Sequence, residues 1–171
     1  DNNPPYVEEL NNYTGSYRKE VMVPAAWKGE QVFLHVGSAT SNIMVWVNGK
    51  FVGYSEDSKV SAEFELTKYL TPGKENLIAM QVMRWCDGSY LEDQDFWRLT
   101  GLARDTYVYS REKNRIEDVR VNASASGKAV IKVEVSKPVT SVQFDILDPY
   151  GRKVTVENES ASPLMERTDR G

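Results

Sequence analysis

Residues 84–98 run Arg84-Trp85-Cys86-Asp87-Gly88-Ser89-Tyr90-Leu91-Glu92-Asp93-Gln94-Asp95-Phe96-Trp97-Arg98. They bring four carboxylates (Asp87, Glu92, Asp93, Asp95) and four aromatic rings (Trp85, Tyr90, Phe96, Trp97) into one short stretch. Carboxylates accept hydrogen bonds from hydroxyls and ring faces pack on apolar C–H surfaces, so the mixture suits a carbohydrate. Three uses compete. A solvated acidic loop anchored by its rings is the plainest. Contact with a sugar, or with a hard cation such as Na+, Ca2+ or Mg2+ held by clustered oxygens, comes second. A catalytic carboxylate pair comes last. It needs two carboxyl groups about 5 Å apart with one kept protonated. A loop could bring Glu92 or Asp93 that close to Asp95, but it supplies little apolar wall to raise a pKa.

Other chemistries find less support. His35 is the single histidine and sits inside an apolar, strand-like run, so it reads as a structural or surface strand residue rather than a member of a Ser-His-acid triad. One His and one Cys cannot fill a tetrahedral zinc site. Cys86 reads as a half-exposed structural thiol, and as the only cysteine it excludes an internal disulfide. No Gly-rich phosphate cradle is present. The net charge of −4 argues against nucleic-acid binding, which needs a basic stripe. No apolar run approaches membrane-spanning length. The compartment stays open between cytoplasm and periplasm.

The acidic stretch must be held between strands. Residues 77–83 form an apolar strand-like run before it, and 105–109 alternate polar and aromatic residues after it. Further upstream, strands are expected at 16–23, 31–36 and 42–47, the last continuous enough in apolar residues to suggest burial on both faces. Short helical turns are expected at 25–29 and 67–70. Asn48-Gly49 between residues 45–47 and 51–54 is the signature of a type I′ hairpin, because both turn residues must tolerate positive φ. Residues 62–66 alternate again. Short strands at regular intervals indicate an all-β sandwich, a jelly roll. A charged joint at 111–114 marks a boundary. Beyond it, residues 116–122, 128–135, 141–147 and 153–157 read as four strands. Four strands are fewer than an immunoglobulin-like sandwich needs, so residues 115–171 are expected to form a truncated one. The first residue is not Met and the chain opens on turn residues, which reads as a cut from a longer polypeptide.

The motifs also carry a resemblance. The run from Trp85 through Asp87-Gly88-Ser89-Tyr90-Leu91-Glu92-Asp93-Gln94-Asp95, Trp97-Arg98, Gly101 and Arg104-Asp105 closely resembles the N-terminal sugar-binding domain of glycoside hydrolase family 2 β-galactosidases. Asn3-Pro4-Pro5, Thr14-Gly15, Tyr17, Trp46, Asn48-Gly49, Val52-Gly53-Tyr54, Asp57-Ser58, Glu63-Phe64 and Leu66 agree in order. The likeness is strong over residues 1–111 and weaker beyond, where it matches the start of an immunoglobulin-like domain.

The resemblance implies a larger enzyme whose (β/α)8 barrel carries both catalytic glutamates and hydrolyses terminal β-D-galactosyl residues with retention. It places no catalytic residue in this chain. Asp95 is implied to bind galactose hydroxyls and to ligate an active-site sodium ion, with Glu92, Asp93, Trp97 and Arg98 as its supporting shell. The implied ions are Na+, shared with the barrel, and Mg2+ as a further ion of the whole enzyme. The implied partners are galactosides such as lactose, the barrel of the same polypeptide, and further copies in a homo-oligomer. Three departures stand out. The family's other sugar-contacting asparagine and the first strands of the jelly roll would precede Asp1, and Ser61 stands where relatives often have Pro. The competing expectation is a stand-alone carbohydrate-binding or scaffold module without catalysis.

Overall fold

The computed structural model describes residues 6–7, 10–92, 94–95, 97, 99–155 and the backbone of 165–166. Among these the chain is all-β apart from a 3-10 turn at Ala25–Trp27 and the four-residue helix α1 (Gly88–Leu91). It divides into two compact units, Asp1–Arg111 and Glu112–Gly171.

The first unit contains β1 (Thr14–Met22), β2 (Gln31–Val36), β3 (Ala39–Thr40), β4 (Asn42–Val47), β5 (Lys50–Glu56), β6 (Ala62–Glu65), β7 (Glu75–Met83), β8 (Gly101–Leu102) and β9 (Thr106–Arg111). They pair into a four-stranded sheet of order β1-β7-β4-β5, a three-stranded sheet β6-β2-β9 and a short β3-β8 pair. All pairings in this unit are antiparallel.

Strand alternation builds the core. On β2 the even residues Val32, Leu34 and Val36 are buried while Gln31, Phe33 and His35 point the other way. On β4 the inward set is Ile43, Val45 and Val47, and on β7 it includes Ile78 and Val82. These side chains, with Phe64, Leu66 and Leu70, form one apolar cluster between the two larger sheets. The expected double-sided burial of residues 42–47 is only partly realised. Met44 and Trp46 are half-covered, because the outer face of β4 meets side chains such as Phe51 rather than another sheet.

The β4–β5 hairpin turns on Asn48 and Gly49, whose φ values are +51° and +79°. The asparagine also ties the turn to its surroundings. Its amide donates to Tyr69 O and to Asn76 Oδ1, and its Oδ1 accepts from Leu77 N, each at 2.9 Å.

The second unit differs from its sequence expectation. β10 (Ile116–Ala123) and β11 (Ala129–Val135) pair antiparallel as expected, and β12 (Met165–Glu166) adds in parallel to β11. Residues 141–147 and 153–155 do not form ladder strands; a single bridge, Leu147–Lys153, joins them. Asp148 organises the turn between them. Its Oδ1 accepts from Tyr150 N and Arg152 N at 2.9 Å, and its Oδ2 accepts from Arg152 Nε at 2.7 Å. The apolar alternation is present there, but a strand exists only where a neighbour takes up its backbone hydrogen bonds. Residues 156–157 of the expected last strand lie outside the described residues.

Candidate functional site

The 84–100 connection leaves the end of β7 and is fixed at its stem. Arg84 N donates to Tyr13 O at 2.9 Å. The Asn12 side chain then acts as a piece of strand: its Oδ1 accepts from Trp85 N and its Nδ2 donates to Trp85 O, both at 2.9 Å. The Arg84 guanidinium lies over the Trp85 ring at 5.3 Å. Cys86 follows. It is buried, only 6% exposed, with its thiol directed at Ser41 O (3.8 Å) and Ser89 Oγ (3.7 Å). The expected half-exposure is therefore corrected. The alternation of neighbouring polar residues hides the fact that this side chain plugs the base of the loop.

Residues 88–91 form α1, a single turn where the residue pattern alone suggests a loop. Ser89 Oγ accepts from Cys86 N at 3.1 Å, and Glu92 N donates to Gly88 O at 2.9 Å. Glu92 then reaches across the fold. Both carboxylate oxygens accept from Ser58 N, at 3.1 and 3.2 Å, pinning the connection to the loop after β5. Hydrogen bonds to a charged acceptor are among the stronger ones available.

Beyond this clamp the loop turns outward. Asp95 is exposed, and its carboxylate has no hydrogen-bond or salt-bridge partner among the described residues. Trp97 is 85% exposed and Leu99 also faces solvent. Asp93 and Arg98, two of the expected supporting residues, lie outside the described residues, as does Phe96. Under the loop is a recess of about 50 Å³ bordered by Ser41, Ser58, Arg84, Trp85, Glu92 and Trp97. That is room for a few waters and far below the several hundred Å³ of an enclosing ligand pocket. Among the described residues, the groups this loop offers to a ligand are therefore its exposed ones, such as Asp95 and Trp97.

Metal-binding capacity is limited in the same way. Asp95 offers hard oxygen donors but no second described side chain joins it, so a cation held there draws its remaining ligands from elsewhere. Glu56, Cys86 and Asp87 do bring ligand atoms within 4.8 Å of one another. Around them, Tyr54 OH donates to Glu56, and Asn42 Nδ2 donates to Tyr54 OH at 3.4 Å. Burial, and then the hydrogen bond to Glu56, hold the Tyr54 phenol protonated well above its ordinary value. Sequence spacing missed this grouping, since Glu56 and Asp87 are joined only by the packing of β5 against the base of the loop.

Residues 2–112 match the family described as "Glycosyl hydrolases family 2, sugar binding domain". The chain belongs to glycosyl hydrolase family 2. Within the family, it is 46% identical over 121 residues to a beta-galactosidase of Priestia megaterium, covering 71% of this chain and 12% of that protein. It is 40% identical over 173 residues to a beta-galactosidase of Photobacterium profundum, covering 98% of this chain and 16% of that protein. The chain thus spans less than a fifth of the length of these curated relatives. In three dimensions it resembles an uncultured Clostridium sp. beta-glucuronidase with a TM-score of 0.67 at 23% identity, covering 85% of this chain and 28% of that one. A Faecalibacterium prausnitzii beta-glucuronidase gives 0.63 at 20% identity, covering 72% and 27%. These neighbours establish the family's β-sandwich fold.

Proposed function

We propose that this chain is the sugar-recognising N-terminal part of a retaining β-galactosidase, which hydrolyses terminal β-D-galactosyl residues when joined to a catalytic (β/α)8 barrel carrying the acid/base and the nucleophile. The observation that carries the reading is Asp95: an exposed carboxylate, without a partner among the described residues, on a connection whose stem is clamped by Asn12 and Glu92. In this reading Asp95 accepts hydrogen bonds from galactose hydroxyls and serves as one ligand of a sodium ion. Glu92 holds the loop, and Asp93, Trp97 and Arg98 complete its surroundings. Identities of 46% and 40% to proteins named beta-galactosidase favour galactosides such as lactose over glucuronides. The assembled enzyme is a homo-oligomer and uses Mg2+ in addition to sodium.

The 171-residue chain alone is expected to show no turnover of a nitrophenyl β-galactoside. Measurable hydrolysis that disappears in Asp95→Ala overturns the division of labour. A galactose titration tests the remainder. One side of a site gives very weak binding, whereas micromolar affinity identifies a self-sufficient carbohydrate-binding module instead.

A further inference from the structure

Away from the 84–100 connection, the outer face of the β6-β2-β9 sheet carries an ordered ladder of rings and charges. Alternation sends Phe33 and His35 outward from β2, and register places Tyr109 opposite Phe33 and Tyr107 opposite His35. Phe33 stacks on Tyr109 with centroids 5.6 Å apart, and His35 stacks on Tyr107 at 4.8 Å. Glu63 ties the rungs together: its Oε1 accepts from Tyr109 OH at 2.7 Å and lies 3.3 Å from His35 Nδ1 and 3.8 Å from Arg111 Nη2.

The two ends of the ladder are not equivalent. The Arg111 guanidinium lies over both Tyr109 (4.9 Å) and Phe33 (5.4 Å), so that end is capped. Tyr107 has no such cap: it stacks on His35 and tilts against Tyr109 at 5.8 Å, yet it stays 49% exposed, and its hydroxyl has no hydrogen-bond partner among the described residues. Beside it is an open cleft of about 610 Å³ lined by His35, Gly37, Ser61, Arg104, Asp105 and Tyr107. The Asp105 carboxylate and the Ser61 hydroxyl also have no partner among the described residues.

We infer that this cleft, whose lining includes no residue of the 84–100 connection, is a second saccharide-binding site in which a neutral sugar ring packs against Tyr107 and its hydroxyls bond to Asp105 and Ser61. The chemistry selects the ligand class. An exposed aromatic ring gives a platform for sugar C–H groups, a carboxylate accepts from paired hydroxyls, and hydroxyl side chains serve either way. The lining carries no excess of positive charge, because Asp105 sits beside Arg104, whose Nη1 donates to Lys59 O at 2.7 Å, so a neutral ligand is favoured over an anion. An apolar peptide would find one ring and no second apolar side chain in the lining. With the next ring capped by Arg111, the platform takes one sugar unit, such as a chain end, rather than a long polymer.

The cleft is also pre-shaped. Gly37 N donates to Asp105 O at 3.0 Å, and a Cβ at Gly37 would lie 2.9 Å from both Asp105 O and the Arg104 Cβ. That close approach locks the end of β2 to the start of β9. Sites held by rigid strands bind with little ordering cost.

The test is a nuclear magnetic resonance titration of the isotopically labelled 171-residue chain with lactose. Amides of residues 37, 61 and 104–107 are expected to shift and to saturate with a Kd on the order of 1–10 mM. Tyr107→Ala should weaken this by about tenfold or more, while Asp95→Ala leaves it unchanged. Tyr107→Phe and Asp105→Asn guard against a folding artefact: the former should retain saturable shifts, the latter should weaken them, and both should keep the parent melting temperature. Glucuronic acid, whose carboxylate meets no excess of positive charge in this lining, should bind more weakly than lactose. The site is refuted if those amides do not respond, if their response survives Tyr107→Ala, or if glucuronic acid binds more tightly. Shifts confined to the 84–100 connection and abolished by Asp95→Ala refute it too, while leaving the Asp95 reading intact.

Discussion

The two units of this chain are written in the same alternating pattern and fold to different extents. On β2, every second residue is buried; on β11, which reads Ala-Val-Ile-Lys-Val-Glu-Val, only Val135 is. Among the described residues every other buried apolar side chain belongs to the first unit, where two sheets close on each other. In the second unit Val119, Val121 and Val130 remain exposed. An alternating strand therefore supplies an apolar face, but only an opposing sheet converts that face into a core.

Truncating side chains in each unit puts this contrast at risk. The largest effect is expected from Leu34→Ala, which empties a site that is 2% exposed at the centre of the first unit. It should cost about 2–5 kcal/mol, read as a lowered urea midpoint. Tryptophan fluorescence reports it cleanly, because Trp27, Trp46, Trp85 and Trp97 all precede residue 112. An unchanged midpoint would mean that the closed core is not what stabilises this unit.

Asn76→Ala comes next. The buried amide accepts from Thr71 N at 2.8 Å and donates to Lys74 O at 2.8 Å and Thr71 O at 3.1 Å, while also receiving the Asn48 amide. Its loss strands several backbone groups and should cost about 1–3 kcal/mol in the same assay. The smallest effect is expected from Val121→Ala, within about 0.5 kcal/mol by far-ultraviolet circular dichroism, since that side chain is 63% exposed. A loss of about 2 kcal/mol or more there would show a core in the second unit and erase the contrast.

Much of the fold could be read in advance, and the reasons are local. The all-β class, the Asn48-Gly49 hairpin and the short turn at Ala25–Trp27 depend on residues adjacent in sequence. The failures are equally specific. Residues 141–147 look like a strand but, among the described residues, find one bridge rather than a ladder, and Cys86 looks half-exposed but closes the base of a loop. At the candidate site, Asp95 could be named from its motif. The clamps that hold its loop could not. Glu92 binds Ser58 across 34 residues, and Asn12 binds Trp85 across 73.

The β periodicity, the positive-φ turn and the family were all legible in the order of residues, because each is encoded by near neighbours or by motif identity. Packing decided which carboxylates became fasteners and which stayed open. Glu92 met a backbone N–H, Glu63 met a tyrosine and an arginine, and Asp95 and Asp105 met solvent. Those outcomes depend on what distant strands bring alongside, and a side chain's formal chemistry does not carry that information.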